Sequence, residues 1–250
     1  MLNYPIVFFF FSLVLLWLSA QVGISLRRFR TLKDDERDDF NTVQAATLTL
    51  LGLIIGFSFS MAISRYDQRK NYEEAEANAI GTEYVRAGLM PAADAATVRG
   101  QLRKYLALRI SYYQTRNQGE LQEISNDTAQ LQNEMWTSVQ NPALANPTPV
   151  SALVVWGMND VLNSQGYTQA AWWNRIPGSA WALMIGMAIC CNMLIGFGAR
   201  GAGVKSGLLF VLPLVAAIAF LLIADIDSPR RGFIHVVPQN LISLQDSFPK

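Results

Sequence analysis

The sequence predicts an all-α, four-span transmembrane protein with one large helical insert. Apolar residues make up 51% of the 250 positions and charged residues only 16%, a sparse charge content for a soluble chain of this length. Four apolar runs, at 4–24, 43–64, 179–199 and 206–224, each approach the roughly 20 residues that a helix needs to cross the hydrocarbon. The polar segment between the second and third runs shows helical periods and no period-2 strand. No internal repeat is present.

Each element follows from its residues. The first run begins MLNYP, without Lys or Arg, and its apolar stretch exceeds the roughly 7–15 residues of a signal-peptide core. Leu18-Ser19-Ala20 matches a cleavage site poorly, so this run reads as a permanent span. The second run continues without proline into a charged helix over 65–88, where Arg69–Glu73 and Lys70–Glu74 have the spacing of solvated ion pairs. Pro91 ends that helix and lets another begin near 92. Val98, Leu102, Tyr105, Leu106, Arg109 and Tyr113 then give a helical period with an apolar side. A further helix is expected over 120–139, a proline loop over 141–149 and a helix over 150–163. Trp172, Trp173 and Trp181 fit a membrane–water boundary. The third and fourth runs, joined only by GARGAGVK, form a tight hairpin, and Pro213 is expected to kink the fourth. The chain thus divides into two spans (1–64), the insert (65–178), the hairpin (179–225) and a membrane-adjacent C-terminal segment (226–250).

The second span has two unlike faces. Gly52, Gly56, Ser60 and Ser64 recur every fourth residue and form a ridge of small side chains. Such a ridge lets helices approach closely in lipid, where no hydrophobic drive brings them together. Thr49, Leu53, Phe57 and Met61 form a neighbouring, mostly bulky apolar stripe that suits lipid, a protein core or a narrow pore.

Charge does not orient the chain. Arg27, Arg28, Arg30, Lys33, Arg37, Arg200 and Lys205 on one side balance Arg65, Arg69, Lys70, Arg175, Arg230 and Arg231 on the other, seven against six. A net charge of +1 points to no nucleic-acid partner. Catalytic chemistry finds little support either. His235 is the single histidine and reads as a surface or interface residue, and the adjacent Cys190 and Cys191 suit packing better than a disulfide. No phosphate loop, HExxH or nucleophile elbow occurs, so neither an enzyme nor a metal or other cofactor is expected. Asp225 and Asp227 flank the end of the last span in ADIDSPRRG. They suit a cation or, preferably, pairing with Arg230 or Arg231.

The stretch LIIGFSFSMAISRYDQRKNYEEAEANAIG resembles the second membrane helix of the bestrophin anion channels: a mid-membrane Gly-Phe pair, then Ser-Arg65-Tyr66 at the membrane exit, then a long charged helix. Over nearly the whole length the chain is more similar to a bacterial bestrophin-like membrane family, through EANAIGTEYVRAGLMP and through DSPRRGFIHVVP, which holds Asp227, Pro229 and Gly232 just beyond Asp225. The resemblance implies a multi-pass protein of the bacterial inner membrane. Its termini and insert would be cytosolic, five subunits would surround one axis in the bilayer, and small anions would be conducted. Carried across on the Gly-Phe pair, the pore neck becomes Thr49, Leu53 and Phe57, with Thr49 polar where the neck would be apolar. The acidic calcium cluster of the animal channels has no match. The residues alone leave open a non-conducting, membrane-anchored sensory or scaffold protein whose insert binds a partner.

Overall fold

The computed structural model describes residues 4–29, 33, 35–199 and 206–248. The hairpin connection at 200–205, with Arg200 and Lys205, lies outside these residues, as does Arg30. Every regular element among the described residues is helical: α1 (Pro5–Phe29), α2 (Glu36–Arg86), a 3-10 turn (Ala87–Leu89), α3 (Ala92–Gln114), α4 (Gln118–Ala145), α5 (Pro149–Trp173), α6 (Gly178–Gly198), α7 (Ser206–Asp227) and α8 (Gln239–Ser247). Four helical stretches are long and apolar enough to cross a membrane, within 5–27, 36–89, 149–198 and 207–227.

The chain forms two compact units. The first comprises Met1–Tyr66 and Arg175–His235. Here α1 packs against α6 and α7, and an aromatic trio anchors the core. Phe8 meets Trp181 edge-on at 5.2 Å between ring centroids, and Phe220 lies 6.3 Å from both. Lower on α1 the two backbones touch. A Cβ on Gly196 would stand 2.0 Å from the carbonyl oxygen of Ala20, and one on Gly23 would stand 2.1 Å from that of Met193. Only a residue without a side chain fits either place. The α2 residues Leu51 and Ala62 complete this core, and the Cys191 thiol of α6 reaches the Thr47 carbonyl at 3.5 Å.

The second unit comprises Asp67–Asn174 and Val236–Lys250. Two helix boundaries differ from the expectation. α4 runs on to Ala145 with Pro142 inside it, and α5 extends to Trp173, so the loop shrinks to 146–148. Proline at 147 pushes Asn146 out of the helical region (φ −139°, ψ 81°). Thr148 and Ser151 then restart the chain with reciprocal capping bonds, with Pro149 at the first helical position. Two of the three boundary tryptophans also differ: Trp172 is buried between Tyr112 and Tyr113 and Trp181 is core, while Trp173 is exposed.

Candidate functional site

At 100° per residue, Ser58 and Ala62 project within about 20° of Leu51, and these three are the buried side of the membrane half of α2. Thr49, Leu53 and Phe57 project about 160–240° away, on the far side. Leu53 is 52% and Phe57 65% exposed, and the Thr49 hydroxyl donates back to the Ala45 carbonyl at 2.9 Å. The small ridge shares that side. A Cβ on Gly52 or Gly56 would meet nothing within 4 Å, and Ser60 and Ser64 are exposed. The helix therefore turns both the stripe and the ridge away from its own chain.

At the exit of α2 the structure draws together the two sequence motifs. Arg65 is half-buried, its guanidinium 3.7 Å from the Asp227 carboxylate at the end of α7. That carboxylate also accepts from the Ile176 amide at 3.1 Å, while Arg175 donates to the Asp227 carbonyl at 3.3 Å. Asp225 accepts from the amides of Phe233 and Ile234, both at 2.8 Å. Gly232 is required for that turn: a Cβ there would lie 2.3 Å from the Asp225 carbonyl oxygen. Pro229 lies in the same turn, Tyr66 packs against the core, and Arg231 sits over the Tyr4 ring at 4.6 Å. The aspartates thus anchor backbone amides and Arg65, and the guanidinium of Arg231 serves Tyr4. Among the described residues, no group of three His, Cys, Asp or Glu side chains is placed to hold a metal ion.

The second unit holds a polar stripe that the sequence reading missed. Arg69, Glu73, Glu76, Ile80 and Glu83 follow one another at helical spacing along α2, and all are buried. Arg69 and Glu73 are therefore interior residues, where their four-residue spacing had suggested a solvated pair. Glu73 accepts from the Asn240 and Leu241 amides at 2.9 and 3.0 Å, and from the Asn240 side chain at 2.6 Å. It thereby caps the start of α8, where Pro238 offers no side-chain cap of its own. Glu76 pairs with the buried Arg109 of α3 and accepts from Thr168 at 3.0 Å and Tyr113 at 3.3 Å. Burial opposes the charge of Arg109, yet Glu76 beside it holds its pKa above the ordinary value. The Tyr113 hydroxyl is pushed up by burial and by the same carboxylate. The signal in the sequence was Arg109 itself, a fixed charge inside an otherwise apolar period.

A family profile described as Bestrophin-like domain matches residues 7–241. Solved structures agree in fold. One is a tryptophan-to-alanine variant of a bacterial Bestrophin homolog from Klebsiella pneumoniae. It aligns with 12% identity over 96% of this chain and 97% of that one, with a TM-score of 0.67. Another crystal structure of a bacterial Bestrophin homolog from that organism gives 13% identity over 96% and 99%, with a TM-score of 0.63. No curated protein sequence matches the chain. At these identities the solved structures speak for the fold, whereas the profile covers nearly the whole sequence. The chain belongs to the Bestrophin-like family.

Proposed function

We propose that the protein is one subunit of an oligomeric bestrophin-type ion channel in the bacterial inner membrane, conducting small anions through a neck formed by Thr49, Leu53 and Phe57. The observation that carries this reading is the outward face of α2. This helix leaves a bulky stripe and a ridge of small residues uncovered side by side. A ring of subunits accounts for both, with the ridge seated on a neighbour and the stripe turned to the axis. Family and fold favour five subunits, with the insert on the cytosolic side.

The first test is the mass of the purified protein in detergent, which should be close to five times the 27.8 kDa of one chain. A single-chain mass refutes the ring. The second addresses conduction. A constriction lined by apolar side chains gates by dewetting, and truncation is repeated in every subunit around the axis. Leu53→Ala with Phe57→Ala is expected to raise anion flux into liposomes several-fold over the parent. Ile54→Ala removes apolar volume from a half-buried position of the same span, and it should not raise flux. If the double variant assembles and stays as tight as the parent, these residues do not form the barrier.

A further inference from the structure

Glu83 differs from the other carboxyls of the buried stripe. Glu73 and Glu76 each accept several hydrogen bonds, whereas neither oxygen of Glu83 has a partner and the residue is 0% exposed. Its carboxyl lies against Gly157 of α5. A Cβ built on that glycine would stand 2.0 Å from Oε2 of Glu83 and 2.7 Å from Nη1 of Arg86. Gly157 therefore forms a seat that any side chain would fill. Arg86, three residues along α2, is turned instead to the exposed ring of Trp156, with its guanidinium carbon 5.3 Å from the ring centroid. No ion pair joins Arg86 to Glu83.

An ionised carboxylate in a dry site without hydrogen bonds is unstable enough to take up a proton instead. Burial pushes the Glu83 carboxyl up to about 8, against the pull of Arg86. The ionisable groups on the surrounding elements are few. Arg86 is on the same helix. Asp160 lies three residues beyond Gly157 on α5 and is exposed. On α3, Arg99 donates to the Tyr84 carbonyl at 3.1 Å, and Arg103 donates to the Tyr84 hydroxyl at 2.8 Å. Near the C-terminus Asp246 is exposed. Arg86 is the charge that acts on Glu83.

We propose that Glu83 is a proton-operated latch between α2 and α5. Neutral, it stays seated against Gly157 while Arg86 lies on Trp156; ionised, it pairs with Arg86 and draws the guanidinium off the ring. The proton leaves to bulk water, and no other reactant is needed. Positions three apart on a helix are within reach of such a pair. The sign follows from linkage. The folded state holds this proton more tightly than the unfolded chain, so the stabilisation is full below the model-peptide value of 4.5 and is lost as pH rises to about 8. Above that it changes no further. The device is local to this unit and stands whether or not the protein conducts.

Infrared difference spectra and tryptophan emission of the full chain in detergent, between about pH 6 and about pH 10, test it. The parent should lose the band of a protonated carboxyl with a midpoint near 8, and emission should change with the same midpoint. Glu83→Gln should abolish both changes. Trp156→Phe should remove the emission change and keep the infrared one. Persistence of the band change in Glu83→Gln overturns the assignment. So does a folded parent that shows no carboxyl deprotonation in this range, a result independent of how any variant folds.

Discussion

Arg109→Met is expected to destabilise the folded protein by about 3–5 kcal/mol, the usual penalty when one partner of a buried ion pair is removed. Arg109 is 1% exposed, and its partner Glu76 has no exposed surface. The substitution leaves Glu76 with bonds from Thr168 and Tyr113 but without the charge that balances it. Thermal unfolding in detergent, followed by near-ultraviolet circular dichroism, checks the expectation. The double variant Arg109→Met with Glu76→Gln supplies the sign. Removing both charges should recover a large part of the loss, because a neutral amide is far less expensive to bury than an unpaired carboxylate. Equal losses in the single and double variants would mean that volume, not charge, is responsible.

Gly196→Leu should be at least as damaging, for a steric reason. The first atom of any side chain at Gly196 would lie 2.0 Å from a backbone carbonyl of α1, which no rotamer can relieve. α1 and α6 must then separate, and core overpacking alone costs about 1–3 kcal/mol before lost contacts are counted. A sharp fall in monodisperse protein after extraction, together with a lowered midpoint, is the expected outcome. Gly56→Leu provides the contrast. Its Cβ meets open space within the chain, so each folded chain should persist while the yield of assembled oligomer falls. Should Gly56→Leu assemble as the parent does, the ridge at Gly52, Gly56, Ser60 and Ser64 is not where subunits meet.

These two glycine sets show what local pattern can convey. Gly52 and Gly56 are conspicuous because they repeat along one helix. Gly23 and Gly196 are far apart in sequence, and only the crossing of α1 with α6 makes them a pair. The four spans were legible because run length and composition are properties of single segments. The family was legible because two compact motifs carry it, and the structure now gives each a physical basis. Glu76 and Glu83 of EANAIGTEY face inward, and Gly232 of the second motif closes on the Asp225 carbonyl. The buried carboxylates were not legible from α2 alone, since glutamates at helical spacing look the same on a wet face as on a dry one. Their burial is decided by Arg109, Thr168 and the start of α8. Trp172 and Trp181 misled for a related reason: a ring that suits an interface also suits a core.

The unbroken course of α2 limits how this chain can change in length. In the second unit Arg69, Glu73, Glu76, Ile80 and Glu83 are all buried, and at 100° per residue they project within about 40° of one direction. One added residue between Glu73 and Glu76 would turn everything beyond it by about 100° against the part before it. Glu76 would then no longer face Arg109, nor Glu83 Gly157, while Glu73 stays at the start of α8. Additions of about seven or eleven residues return the helix to within about 20° of its phase. Insertions and deletions in this helix should therefore be tolerated among relatives only in such steps, whereas the connection between α4 and α5 is free of the constraint.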